Sequence, residues 1–140
     1  MTFKYALLRP DAESPVRKHP TDAGVDVFAV EPMWVQPLSS ATVHTGVTVE
    51  VKPGWMVEIR PKSRSNFLIG AGIVDAGYQG EIMVKVVNFT DEPLLIKQGD
   101  PVAQLIKVKI ETEPVEQLRL EDIHVEVSAR GATGGILGNS

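Results

Sequence analysis

The sequence predicts an all-β domain, a jelly-roll-like barrel or sandwich with little or no helix, and three observations carry that expectation. Ten prolines and twelve glycines cut the 140 residues into short windows, few of them long enough for a stable helix. Between the breaks, apolar residues recur with period two and are rich in valine and isoleucine, the pattern of half-buried strands. Turn signals such as KPG (52–54) and QGD (98–100) separate the alternating runs. Many short strands joined in this way pack as a sandwich, jelly roll or barrel.

The elements follow in order. In AGVDVFAV, Val25 and Val27 alternate with Asp26. In ATVHTGVTVEV, Val43, Val47, Val49 and Val51 share one face, with Thr45 completing the row. Trp55, Val57 and Ile59 alternate with Met56 and Glu58, and Ile82, Val84 and Val86 alternate with Met83, Lys85 and Val87. In VAQLIKVKI, Val102, Ile106, Val108 and Ile110 share a face with Gln104. Residues 115–122 are the one window for a short helix, and IHVEV, through Ile123, Val125 and Val127, reads as a last strand. No internal repeat or linker divides the chain, so a single domain is expected over 1–129, followed by a glycine-rich tail, RGATGGILGNS, over 130–140. Glycine-rich termini usually fray, but such a tail can also be a flap that orders only over an anionic ligand.

Composition narrows the function. Apolar residues make up 43% and charged residues 23%, ordinary for a globular protein. A net charge of −4 argues against a broad basic surface for nucleic acid, although a small polyanion can still be held by a few convergent cations or a metal. No run approaches the roughly 18 apolar residues of a membrane helix, and the N-terminus lacks the apolar core of a signal peptide, so neither membrane nor export is expected. The absence of cysteine excludes disulfides, cysteine nucleophiles and thiolate metal sites. It is compatible with a reducing compartment, and a cytoplasmic location is expected.

Candidate chemistry is confined to a few polar placements. His19, His44 and His124 are scattered, none at metal-ligand spacing. The phosphate-binding P-loop and the serine-nucleophile elbow are both absent. Asp26 sits inside a strand and must face solvent or find a partner. In IRPKSRSN, Arg60, Lys62 and Arg64 flank Ser63 and Ser65 at a strand end, as a phosphate-holding set or as solvated edge charges. In GIVDAGYQGEI, Asp75 precedes a glycine turn with Tyr78 three residues on, as a turn cap or as a general base at a pocket mouth. Gln104 interrupts an apolar face, and a buried amide needs partners.

In order and spacing these segments resemble the five motifs of the deoxyuridine triphosphatase (dUTPase) family: AGVDVFA (23–29), PKSR (61–64), GIVDAGYQGEI (72–82), GDPVAQLI (99–106) and the tail from Arg130. The resemblance covers nearly the whole chain. It implies an all-β homotrimer with active sites shared between subunits, hydrolysing dUTP to dUMP and pyrophosphate with Mg²⁺. Carried over, Asp75 would activate the water that attacks the α-phosphorus, and Tyr78 would lie against the deoxyribose and exclude a 2′-hydroxyl. The loop into Gly72 would read the uracil, and Asp26 would bind a water on Mg²⁺. Ser63, Gln104 and Arg130 would contact phosphate, with Lys62 and Arg64 nearby.

The chain departs from the family pattern at several points. Lys62 stands where an arginine is usual, keeping charge but losing the bidentate fork. Arg64 occupies a normally small position, and a register shifted by two would use Arg64 and Ser65 instead. The stretch from Ser63 to Asp75 is several residues short, leaving no room for the helix often found there. The tail carries Ile136 and Leu137 in place of a stacking aromatic. The related dCTP deaminases need a glutamate where this chain has Lys85, which cannot shuttle the same proton. A non-catalytic, nucleotide-sensing or structural trimer of the same fold is the other alternative.

Overall fold

The computed structural model describes residues 1–124. Their elements run β1 (Tyr5–Leu7), β2 (Val25–Phe28), β3 (Met33–Val35), β4 (Ser39–His44), β5 (Val47–Val49), β6 (Trp55–Arg60), β7 (Leu68–Ile69), β8 (Gly72–Val74), β9 (Met83–Asn88), β10 (Leu94–Ile96), β11 (Pro101–Lys109) and α1 (Leu120–Ile123). The domain is all-β and jelly-roll-like, as the alternation predicts. No helix among the described residues is long and apolar enough to cross a membrane.

All pairings between named strands are antiparallel. One sheet has the order β2-β11-β6-β8 and a second the order β4-β9-β7, with two-stranded ribbons β1-β5 and β10-β3 beside them. Their inner faces meet in one apolar core: Val27, Val57, Val74 and Leu105 from the first sheet, Val43, Val84 and Val86 from the second, Val47 and Val49 from β5.

The long run from Val43 to Val51 buries every member of its predicted face, Thr45 included. It is nevertheless two strands, because Gly46 breaks it with a φ of +69°, and a Cβ there would come within 2.8 Å of the Ala12 Cβ. Buried Thr45 is satisfied locally: its hydroxyl donates to the Ile82 carbonyl at 2.6 Å and accepts from the Val47 amide at 3.3 Å.

Three expectations are corrected. In β11 the core face is not Val102, Ile106, Val108 and Ile110. A register shift between Pro101 and Ala103 sends Val102, Ala103 and Leu105 inward, leaving Gln104, Ile106 and Val108 half-buried on the opposite face. The helix is a single exposed turn at 120–123, not 115–122, because residues 111–119 have no inward stripe to hold a helix against the core. Ile123 therefore closes that turn instead of opening a strand; Val125 and Val127 lie outside the described residues.

The corner after β9 depends on one buried amide. The Asn88 side-chain amide donates to the carbonyls of Val35 (3.1 Å), Gln36 (3.4 Å) and Glu92 (2.7 Å). Its oxygen accepts from the Thr90 amide (3.0 Å) and hydroxyl (2.8 Å). Elsewhere, the Arg9 guanidinium forks onto Asp11 and also donates to Glu31, holding the Asp11 carboxyl below its usual value and the guanidinium above its own.

Asn88→Ala leaves these buried groups unpaired and is expected to lower the unfolding free energy by about 3 kcal/mol. Urea unfolding at fixed chain concentration checks this; a loss under about 0.5 kcal/mol would remove Asn88 as the organiser of the corner.

Candidate active site

The cleft at one end of the four-stranded sheet is built by register. Asp26 on β2 pairs with Gln104 on β11, and Gln104 pairs with Arg60 at the end of β6. Directly paired residues point to one face, so these three form a row on the outer side while Val25 and Val27 go inward. Pro61 then ends the ladder and turns the chain across the row. Gln104 braces this turn by donating its amide to the Pro61 carbonyl at 3.0 Å. It lies directly on Gly24, where an added Cβ would collide with its side-chain oxygen and sit 2.9 Å from its Cβ.

Beyond Pro61, the Lys62 ammonium donates to Asp26 Oδ1 at 2.7 Å, with the two side chains 29% and 14% exposed. At this depth the contact is a charge-assisted hydrogen bond, and losing either partner leaves the other charge poorly compensated. Lys62, Ser63, Arg64, Ser65, Asp26 and Asp100 line a cleft of about 830 Å³. Its cations and hydroxyls suit phosphate, and both candidate serines, Ser63 and Ser65, face it.

The second set lies at the opposite edge, after β8. The Asp75 carbonyl accepts from the Tyr78 amide at 3.1 Å, closing a turn in which Gly77 takes a φ of +87°. The Asp75 side chain is exposed. The Tyr78 phenol donates to the Glu81 carbonyl at 2.8 Å, so this 42%-exposed ring is tied at its far end. Gly72, Ile59, Ile73, Val74, Tyr78 and Met83 line a small apolar cavity of about 230 Å³. A side chain at position 72 would meet Ile59 Cδ1 at 2.9 Å, so glycine keeps this cavity open. A wider groove of about 750 Å³, with Thr48, Lys52 and Gln79 in its wall, lies on the other side of Tyr78.

One chain keeps the two sets apart. Val74 pairs with Val57, so Asp75 lies near the level of Met56, whereas Gln104 pairs with Arg60. That is about 13 Å along the strands and about 14 Å across three strand spacings, a separation on the order of 20 Å. The structure thus joins Asp26, Lys62, Ser63, Arg64 and Gln104 at one end of the sheet, and Gly72, Asp75 and Tyr78 on the edge strand β8 and the turn that follows it, with Asp75 the farther away. Arg130 and the tail lie outside the described residues. Lys85 faces outward on β9, its stem packed over Gly70.

Sequence reasoning missed Gly24 and Asp100 in the first set and Glu81 in the second. All three lie inside the motif segments AGVDVFA, GDPVAQLI and GIVDAGYQGEI, but nothing in their composition or spacing set them apart there. Gly24→Ala is expected to cost about 2 kcal/mol by overpacking against Gln104. A variant that unfolds in urea at the parent midpoint would show that Gln104 is not held there.

Comparison with known proteins identifies the family. The dUTPase family model matches residues 10–134. A deoxyuridine 5′-triphosphate nucleotidohydrolase of Mycobacterium leprae is 36% identical, over 96% of this chain and 94% of its own. One from Picosynechococcus is 32% identical, over 96% of each chain. Among solved structures, the dUTPase of Staphylococcus bacteriophage 80alpha with dUPNHPP superposes with a TM-score of 0.85 at 27% identity, covering 95% of both chains. A mutant dUTPase of S. aureus phage phi11, described with a structural Mg(II) ion, gives 0.79 at 27% identity, over 84% of this chain and 97% of that one. Matched along nearly its full length in sequence and in fold, the chain belongs to the dUTPase family.

Proposed function

We infer that this chain is a dUTP diphosphatase, converting dUTP and water to dUMP and pyrophosphate. The observation that carries the reading is the pairing of a cationic, hydroxyl-lined cleft with an exposed carboxylate at a glycine turn, in a chain of this family. Asp75 accepts the proton of a water whose oxygen forms a bond to the α-phosphorus. The bond from that phosphorus to its bridging oxygen breaks, and pyrophosphate leaves with the electron pair. Such displacement depends mainly on positioning and charge stabilisation, which the available residues can provide.

Each remaining residue has a physical task in this reading. The apolar cavity at Gly72 takes the flat uracil ring, and the tethered Tyr78 ring lies against the sugar and leaves no room for a 2′-hydroxyl. Lys62, Arg64 and Ser63 or Ser65 hold the phosphates, while Gln104 holds the turn that presents them. Arg130 and the tail after it add a further phosphate contact and close over the substrate.

Mg²⁺ fits the donor set. Among the described residues no three His, Cys, Asp or Glu side chains cluster as a metal cage. Mg²⁺ commonly keeps waters and phosphate oxygens as ligands, and needs only one or two carboxylates. Asp26, with Asp100 beside it on the cleft wall, would hold it through water. Bound there, the ion would neutralise phosphate charge and orient the triphosphate.

A base on the order of 20 Å from the phosphate cleft cannot reach water at the same phosphorus. The site is therefore completed by a second copy of the chain, and a homotrimer with three shared sites is the assembly proposed. A relative solved with dUPNHPP supports a nucleotide substrate of this class. A cytoplasmic location belongs to the same proposal.

Pyrophosphate release from dUTP, dCTP, dTTP and UTP, with Mg²⁺ and with excess chelator, tests the reading. Metal-dependent release is expected from dUTP and little from the others. Asp75→Asn is expected to keep the fold and lower kcat at least about 100-fold. Turnover near the parent rate in that variant would exclude Asp75 as the base.

A further inference from the structure

The turn that carries Asp75 and Tyr78 has exposed side chains and sits at a sheet edge; its Gly77 amide donates to the Val51 carbonyl at 3.3 Å, and the strongest side-chain tie beyond it is made by Glu81. Glu81 reaches across to the corner between β4 and β5. One carboxylate oxygen lies 2.9 Å from His44 Nδ1, and the other accepts the Gly46 amide at 2.8 Å. The backbone carbonyl of the same residue accepts the Tyr78 phenol at 2.8 Å. On either side, the Ile82 amide donates to the Val47 carbonyl at 2.8 Å and the Thr48 hydroxyl reaches the Gln79 carbonyl at 3.4 Å. The corner itself is rigid, since Gly46 is packed against Ala12 and the Thr45 hydroxyl is buried.

We propose that Glu81, with His44 as its partner, is the positioning residue that sets where the Tyr78 ring stands and thereby how strictly the enzyme rejects ribose. Excluding a single hydroxyl by contact requires the excluding ring to be fixed within a fraction of an ångström. The Tyr78 ring lies on Gly80 but is still 42% exposed, so packing holds one face only and the phenol anchor fixes its far end. That anchor is the Glu81 carbonyl, and the Glu81 carboxylate ties the residue to the hairpin corner. Glu81 borders the cavity given to the uracil, but its carboxylate is taken up by His44 and the Gly46 amide, and in this scheme it acts through Tyr78. The inference rests on the reading of Tyr78 as the sugar filter.

The test is the UTP-to-dUTP ratio of kcat/KM, with melting temperature measured alongside, for the parent, Glu81→Ala, Glu81→Asp, Glu81→Gln, His44→Ala and Tyr78→Ala. Glu81→Ala is expected to raise the ratio about tenfold, the effect of a ring free to shift. Glu81→Asp and His44→Ala, which are mild enough to fold, are expected to raise it several-fold. Glu81→Gln keeps an acceptor for the Gly46 amide and an amide donor for the imidazole, and is expected to stay within about twofold of the parent. A merely structural Glu81 would lower the melting temperature and leave the ratio alone. An unchanged ratio in Glu81→Asp and His44→Ala, with a raised one in Tyr78→Ala, overturns the positioning role and leaves the sugar filter standing. An unchanged ratio in Tyr78→Ala removes the filter itself, and the proposal falls with it.

Discussion

Antiparallel pairing in the β2-β11-β6-β8 sheet is the constraint from which the rest of the molecule follows. Hydrogen-bonded strands cannot slide or approach, so the register that aligns Asp26, Gln104 and Arg60 also fixes how far they stand from Val74 and the turn after it. The phosphate-type cleft and the candidate base belong to one rigid sheet and cannot be brought together by any side-chain rotation. Flexibility within one chain cannot repair that separation; a second chain can.

The two ends are built by different means because they have different tasks. At the cleft, charge is balanced within the site. The Lys62 ammonium rests on Asp26, which keeps a cation and a carboxylate side by side with neither of the two unpaired, and Gln104 rests on Gly24. A polyanion entering with a metal exchanges these partners instead of creating charge pairs from nothing, which suits a chain of net charge −4. At the turn, the means is tethering. Asp75 stays exposed, while Gln79, Glu81 and Ile82 are bonded to β5 and the β4–β5 corner and Tyr78 is bonded in turn to Glu81.

Much of this was legible in the sequence where period two had room to show itself. The faces of Val43 to Val51, Val57 with Ile59, and Ile82 to Val86 are buried as the alternation requires. The three-residue strands β1, β3 and β10 were not legible, because so short a segment contains a single alternation. β11 misled for another reason: a register shift at Pro101/Ala103 exchanges inward and outward faces, and periodicity carries no sign of it. Of the site, Asp26, Lys62, Asp75 and Tyr78 were legible as polar residues in places that need an explanation. Glu81 was not, since its partners His44 and Gly46 are more than thirty residues away and only the fold brings them together.

Complementation between two inactive variants tests the shared site most directly. One chain would carry Asp75→Asn and the other Lys62→Ala with Arg64→Ala, each first shown to be folded and inactive as a pure oligomer. Co-expressed with different tags and purified through both, the hybrid contains sites in which an intact Asp75 turn faces an intact cleft from another chain. A site assembled between copies predicts that dUTP hydrolysis returns in the hybrid. A hybrid as inactive as either parent would contradict assembly between chains and place both halves of the chemistry within one.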